Sequence, residues 1–523
     1  MDPVVTTLVI LALAIVAFMS NRVPLGIVAI GVSVALWLTG ILDLGEALAG
    51  FGDPTVVFIA TLFIVSEALD STGVTAWAGQ QVVGRAGARR TPLLVVVCLL
   101  VAGVTALISV NGAVAALIPV VVVVATRAGI PPSQMLMPLA FSAHAGSLLA
   151  LTGTPVNIIV SEAASDAGAR PFGFFEFGLV GVPLVAGTLL IIALLGRRLL
   201  PVREPTTLPQ DLTEHTRILR EQYAIPEGTE LIGVRRGVTE VVVAPRSQLI
   251  GLHLFAGMAT PSGDLVVLAV RRGGEELVGT DTTLQTGDTL LVSGAWDLLE
   301  RNTVGPDVLV VDAPASIRRA VPLGAGAKRA IVILAAMVVV LATGIVPPAI
   351  AGLLAACALV LFRVVTPTQA YRSVSWTTVV LVAGMIPLST AFITTGTADL
   401  IAAGLLGFVG DGSPHLALAA MCVLTMVLGQ LISNTATVLI TAPIAVVVAA
   451  DLDVSVLPFM MALTVAGAAA FLTPVATPAN TMVLEPGGYR FGDYWKLGLP
   501  LLVLFLVVAV LYVPLIWPFG GSA

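Results

Sequence analysis

The chain has 523 residues, 57% of them hydrophobic and 11% charged, with a mean hydropathy of +1.04. Soluble domains carry about 25% charged residues, so a soluble enzyme or binding module is excluded. The formal net charge of −6 gives no basic footprint for nucleic acid.

Apolar runs of roughly 20 residues suit membrane helices rather than barrel strands. The chain starts directly on such a run, with no basic segment and no small-residue cleavage site before it, which predicts a retained span rather than a signal peptide. In the first half the predicted spans are 4–20, 23–42, 53–70, 133–160 and 177–200. Between the third and fourth lies 92–127, an apolar run interrupted at Ser109, Val110, Asn111 and Gly112. As one helix it would be about 54 Å long, against a hydrocarbon core of about 30 Å. It is therefore predicted to fold back as a re-entrant hairpin.

Residues 201–327 change character. Pro201-Val202-Arg203-Glu204-Pro205 opens a polar linker, and alternating segments at 239–243, 265–270 and 289–293 read as strands, with turns at Gly273-Gly274 and Gly287-Asp288. This predicts a small β-rich cytoplasmic domain, which Ala313-Pro314 to Gly326 leads back to the membrane.

The second half repeats the order of the first. Spans fall at 328–345, 347–363, 377–393, 456–484 and 493–517, with a second interrupted run at 415–450 broken by Ser433, Asn434 and Thr435. Local text repeats as well: 51–57 matches 374–380, Ser71-Thr72-Gly73 matches Thr394-Thr395-Gly396, and Thr154-Pro155-Val156-Asn157 matches Thr477-Pro478-Ala479-Asn480. The expected architecture is an α-helical polytopic membrane protein of two inverted repeats, 1–200 and 328–523. Each has five spans, a re-entrant hairpin and a broken helix, and 201–327 is inserted between the repeats.

Charge orients this scheme. With five crossings per half, Arg22, Arg85, Arg89, Arg90, Arg127, Arg197 and Arg198 fall on one side, joined by Lys328, Arg329, Arg363, Arg372, Arg490 and Lys496. Asp43, Glu46, Asp166, Asp399, Asp411, Asp451 and Asp453 fall on the other, where Arg170 is the basic exception. The basic side is then cytoplasmic, in the cell membrane, and both termini are extracytoplasmic.

A polar group in hydrocarbon costs several kcal/mol unless it is paired or lines a cavity. At each hairpin break the backbone must leave the helix. Its carbonyls, with nearby hydroxyls, suit a hard cation such as Na⁺, and its amides and half-helix N-termini suit an anion. The alternative is a Ser/Thr-rich helix contact that pairs with its own backbone. Proline removes a helix hydrogen bond, so 151–157 and 471–480 are predicted to be unwound at mid-span; an ordinary proline kink is the competing reading. Glu67 and Asp70 read as solvated helix ends. His144 reads as a packing histidine, although it could titrate near neutrality. With no acidic pair at mid-span, neutral oxygen ligands are expected rather than a carboxylate proton relay. Cys98, Cys357 and Cys422 are far apart, lack metal spacing and read as packing residues. No nucleophile–base pair or metal-ligand set stands out, so no catalytic residue and no structural metal is assigned.

At Ser433-Asn434-Thr435-Ala436-Thr437 with Pro443, and from Pro474 through Asn480 to Gly487–Tyr494, the chain resembles the divalent anion:sodium symporter family of the ion transporter superfamily. The likeness covers both membrane halves. Over roughly 238–296 the insert looks like the TrkA C-terminal regulator module of potassium-uptake proteins. The resemblance implies a homodimer that works by an elevator movement, taking Na⁺ as coupling ion and a small divalent anion as substrate. On this sequence it places the substrate at Ser109, Asn111, Gly112, Ser433, Asn434, Thr435, Thr477 and Pro478. It places Na⁺ at Ser109, Asn111, Thr152, Gly153, Thr154, Asn157, Ser433, Asn434, Thr473, Ala476 and Asn480. The first motif departs from the family pattern. Either Val110 stands where the asparagine belongs and Asn111 where the threonine belongs, or a one-residue shift leaves Gly112 at the threonine. The loss of a side-chain ligand opens the way to sulfate as well as a di- or tricarboxylate. The competing readings are a Na⁺/H⁺ antiporter or arsenite-type exporter of the same superfamily, and a cation channel gated by the insert. The channel reading lacks a Thr-x-Gly-Tyr-Gly filter. The insert is expected to bind a small ligand.

Overall fold

A computed structural model describes residues 2–20, 22–75, 77–78, 89–203, 219, 223, 231–233, 236–273, 275–277, 282–303, 305–311, 314, 317, 323–324, 326–409 and 413–520. Arg85, Glu204, Pro205, Gly274, Ala313 and Asp411, singled out in the sequence, lie outside these residues. The described chain is mostly helical. Six stretches are helical for 18 residues or more and apolar enough to cross a membrane: Pro3–Ser20, Leu44–Ser71, Gly178–Leu199, Trp376–Thr395, Asn434–Asp451 and Phe491–Ile516.

Contacts divide the chain into two compact units. One holds 1–67, 81–208 and 332–523, and the other 68–80 and 209–331.

In the first unit the helices are α1 (Pro3–Ser20), α2 (Leu25–Leu38), α3 (Leu44–Leu48), α4 (Pro54–Ser71), α5 (Arg90–Thr105), α6 (Val110–Arg127), α7 (Leu136–Gly146), α8 (Pro155–Asp166) and α9 (Gly178–Leu199). The predicted run 92–127 is thus two helices that pack on each other, and span 133–160 is broken between α7 and α8.

The second unit carries a five-stranded antiparallel sheet in the order β4-β3-β6-β1-β7. Its long strands are β1 (Arg236–Val243), β3 (Val266–Arg272) and β6 (Thr289–Ala295), and its short ones are β4 (Glu275–Glu276) and β7 (Val308–Val310). A separate pair joins β2 (His253–Leu254) to β5 (Thr282–Thr283). Val241, Val267, Leu290 and Val292 point into a core shared with Trp296 and Leu299 of the short helix α10 (Trp296–Asn302). Residues Thr72 and Gly73 belong to this unit through backbone bonds from Gly324 and Leu323.

The chain then continues as α11 (Ala327–Thr343), α12 (Pro348–Leu361), α13 (Pro367–Ser373), α14 (Trp376–Thr395), α15 (Thr397–Val409), α16 (Pro414–Gly429), α17 (Asn434–Asp451), α18 (Leu457–Gly467), α19 (Pro478–Leu484), α20 (Tyr494–Val507) and α21 (Val513–Ile516). The run 415–450 is again two helices in contact, and span 456–484 is again broken. The sequence reading left α15 unassigned. Gly396 ends α14 with a φ of 73°, a left-handed turn that suits glycine, and α15 then packs against α17.

Two groups of helices make the first unit. In one, α14 lies along α2: Ser33 Oγ donates to the Gly384 carbonyl at 2.9 Å, and the missing Cβ of Gly384 lets the two backbones meet. The other is built around α7 and α18. Every residue of α7 and all of α18 from Pro458 onward is buried. The halves interlock, since α8 packs on α17 and α18 while α19 packs on α6 and α7.

Candidate functional site

The two hairpin tips share one local design. Ser109 and Ser433 are N-caps with extended backbones, and each side chain accepts from the amide three residues on, Gly112 at 3.2 Å and Ala436 at 3.3 Å. Equivalent caps fix the register left open by the sequence. Ser109 corresponds to Ser433, Val110 to Asn434, Asn111 to Thr435 and Gly112 to Ala436. The one-residue shift is not what the backbone adopts. Both tips are half-buried, and the first amides of α6 and α17 have no intrahelical acceptor. Pro119 and Pro443 sit at matching places in the second arms.

The two unwound segments repeat a second design. After α7 the chain leaves the helix, makes one tight turn at Leu151–Gly153 and restarts at the cap Thr154. After α18 it stays irregular until the cap Thr477. Asn157 and Asn480 hold these segments. Asn157 Nδ2 donates to the carbonyls of Ser147 at 2.9 Å and Ala150 at 2.8 Å. Asn480 Nδ2 donates to those of Ala470 at 2.8 Å and Thr473 at 3.2 Å. Both asparagines are 0% exposed. The turn also needs Gly153, where a Cβ would lie 2.2 Å from the Ser147 carbonyl; Ala476 stands at the matching place in the looser second segment.

Each tip is tied to the segment of its own half. Thr152 Oγ1 donates to the Ala106 carbonyl at 3.0 Å. In the second half Gln430 Nε2 donates to the Ala469 carbonyl, and its Oε1 accepts from the Leu472 amide, both at 3.0 Å. Sequence reasoning thus gains Gln430 as a tether. It also gains Gly181 and Gly498, where an added Cβ would lie 2.3 Å from the Leu148 carbonyl and 2.2 Å from that of Phe471. A signal for this pair was present, because Gly181-Val182-Pro183 and Gly498-Leu499-Pro500 are the same motif in the two halves.

One link joins the halves at this level. His144 Nε2 and Thr477 Oγ1 are hydrogen-bonded at 3.1 Å, and the ring meets Phe471 edge-on. His144 is a satisfied buried histidine, bonded to one of the cap residues chosen from the sequence.

What remains unpaired is as informative as what is bonded. Among the described residues, the buried side-chain atoms without a partner include Asn157 Oδ1, Asn434 Oδ1 and Thr473 Oγ1, while the Asn480 amide is in hydrogen-bonding reach of His144. An unmet buried acceptor costs about 1–3 kcal/mol, and neutral oxygens are what a hard cation takes as ligands. Of the remaining residues picked from the sequence, Asn111 and Thr435 sit in the first turn of their helices at the half-buried tips, and Pro478 is exposed. No group of three or more His, Cys, Asp or Glu side chains is placed to hold a metal among the described residues.

The model of the citrate transporter family CitMHS matches residues 15–466 and 405–522. The chain belongs to this family. It is therefore an integral membrane transporter and not an enzyme. It is 33% identical to the "uncharacterized transporter YfbS" of Escherichia coli K12, over 98% of each chain. It is 26% identical to the "probable sodium/sulfate cotransporter 3" of Chlamydomonas reinhardtii, over 50% of this chain and 28% of that one. A solved transporter, YdaH of Alcanivorax borkumensis, aligns over 91% of this chain and 88% of its own at a TM-score of 0.49 and 16% identity.

Proposed function

We propose that this CitMHS transporter imports a small divalent anion, sulfate or a di- or tricarboxylate, by symport with Na⁺. The observation that carries the reading is the set of buried, unpaired neutral oxygens beside broken helices, on Asn157, Asn434 and Thr473. The Asn157 amide end is spent on holding the loop, so its oxygen is left for a cation. The first two amides of α6 and α17, which the serine caps leave free at the positive ends of those helices, suit the oxyanion. Ser109, Asn111, Gly112, Ser433, Asn434, Thr435, Thr477 and Pro478 form the anion side in this reading. Thr152, Gly153, Thr154, Asn157, Thr473, Ala476 and Asn480, with Ser109, Asn111, Ser433 and Asn434 shared, form the Na⁺ side. The name of the Chlamydomonas relative supports sodium and sulfate, and that of the family supports citrate.

The repeated caps, asparagines and glycines favour two inverted repeats that meet at mid-membrane, with basic loops inside and both termini outside. A homodimer with an elevator movement, and a small ligand acting on the β-containing unit, complete the proposal. The absence of a mid-span carboxylate pair in the sequence favours symport over Na⁺/H⁺ exchange.

The test is uptake of labelled sulfate, phosphate, succinate and citrate into proteoliposomes, with and without an inward Na⁺ gradient. One of these anions should accumulate only with the gradient. Uptake indifferent to Na⁺ contradicts the coupling, and proton movement on a Na⁺ pulse without anion points to the antiporter.

A further inference from the structure

The start of α5 and the end of α9 bring arginines together. The two helices pack on each other. Arg89 is the N-cap of α5 and Arg90 its first residue, while Arg197 and Arg198 lie in the last turn of α9. Arg90 is half-buried, and its Nη2 lies 3.7 Å from where a Cβ on Gly196 would sit, one residue before Arg197. The Arg197 charge is close enough to act on the Arg90 guanidinium. Buried Gln134 fixes that guanidinium from the other side, its Oε1 accepting from Nη2 at 2.6 Å. Gln134 Nε2 in turn donates to the Leu200 and Pro201 carbonyls just after α9, at 3.2 and 3.0 Å.

Protein charge does not offset this corner. Arg170, Arg203, Arg272 and Arg301 each pair with a carboxylate, whereas Arg89, Arg90, Arg197 and Arg198 pair with none among the described residues. The negative end of a helix favours cations, so Arg197 and Arg198 suit the end of α9. Arg89 and Arg90 stand at the positive end of α5, where the sign is wrong. A lone exposed arginine is met by water, but Arg90 cannot turn away, because Gln134 holds it against α9. An anion at this point relieves the repulsion and takes charge-assisted bonds from the guanidinium groups.

The surroundings say which anion fits. α9 is long and apolar enough to cross the membrane, so its last turn lies at a membrane surface. Leu190, Leu194 and Arg198 follow one another at four-residue spacing on one face of α9, and the two leucines are 60% and 68% exposed. An apolar lane thus runs from the arginines towards the hydrocarbon. We propose that this corner binds an anionic phospholipid, with its phosphate on Arg90, Arg197 and Arg198 and its acyl chains along Leu190 and Leu194. The site is separate from both hairpin tips and both unwound segments, and it does not depend on the coupling ion. Through Gln134 the bound lipid braces the chain where it leaves α9 for the inserted unit.

The test uses full-length protein in detergent. Its melting temperature is titrated with phosphatidylglycerol, phosphatidylcholine or inorganic phosphate, and retained lipid is counted by native mass spectrometry. Phosphatidylglycerol should stay bound and raise the melting temperature, and the other two should do neither. Arg197→Gln/Arg198→Gln removes side chains that bond nothing among the described residues, so the lipid-free melting temperature should hold. The phosphatidylglycerol concentration for half effect should climb by about thirtyfold. Arg198→Gln alone should raise it by about fivefold, which keeps the test open if the double variant does not fold. Arg372→Gln, at an exposed arginine in the last turn of α13, should change nothing. Equal stabilisation by phosphatidylcholine overturns the proposal, as does a phosphatidylglycerol response that survives in the double and single variants. An equal response to inorganic phosphate overturns the lipid in favour of a free anion. A change of oligomeric state in the double variant with lipid binding intact overturns it in favour of a contact between copies.

Discussion

The unwound segment between α7 and α8 and the one between α18 and α19 solve the same problem with different side chains. Each ends a buried helix, frees several carbonyls and restarts on a threonine cap. Each satisfies two of those carbonyls with one asparagine amide. They differ in the oxygens left over, Asn157 Oδ1 in the first and Thr473 Oγ1 in the second. On the proposed reading, the backbone of the break serves stability and the unpaired oxygens serve function. A substitution at one place can separate the two.

The largest effect on folding is expected at the asparagines. Asn157→Leu and Asn480→Leu each strand two buried carbonyls, which should destabilise the protein by about 2–4 kcal/mol in the absence of Na⁺. The loss should be similar for the two, read from melting temperature in detergent.

The glycines come next. In Gly181→Ala and Gly498→Ala the new methyl meets a backbone carbonyl that cannot turn aside. Such overpacking costs about 2–3 kcal/mol, again measured by melting. Equal losses would support a shared scaffold, and a loss in only one half would break the comparison.

The smallest effect lies outside the membrane helices. Asp288 is buried, which raises its pKa, but the Arg272 fork and the Gln285 amide outweigh this and hold it below the usual carboxylate range. A depressed folded-state pKa stabilises above the unfolded value, near 4, and the benefit is lost as pH falls through the folded one. Thermal melts should therefore separate the native protein from Asp288→Asn at pH 7, and the gap should close below about pH 4.

Much of this comparison was legible in the sequence. The hairpin interruptions, the Thr-Pro-x-Asn pair and the three long strands follow from periodicity broken by small polar residues, by proline and by turn glycines. The register of the first motif did not follow, because Ser-Val-Asn-Gly fits a serine–asparagine–threonine pattern in two ways and only the cap geometry at Ser109 chooses. The bond from His144 to Thr477 joins residues far apart in sequence, and nothing local marks it. The place of Thr72 and Gly73 in the sheet-bearing unit was hidden for the same reason.

The most direct test of the account is uptake by the double variant Ser433→Ala/Asn434→Ala, inserted in proteoliposomes at the same density as the native protein. It should show no Na⁺-driven uptake of any anion that the native protein accumulates, while its expression and size-exclusion profile stay unchanged. Native-level uptake by that variant would contradict the assignment of the second hairpin tip as the place where ion and anion are bound.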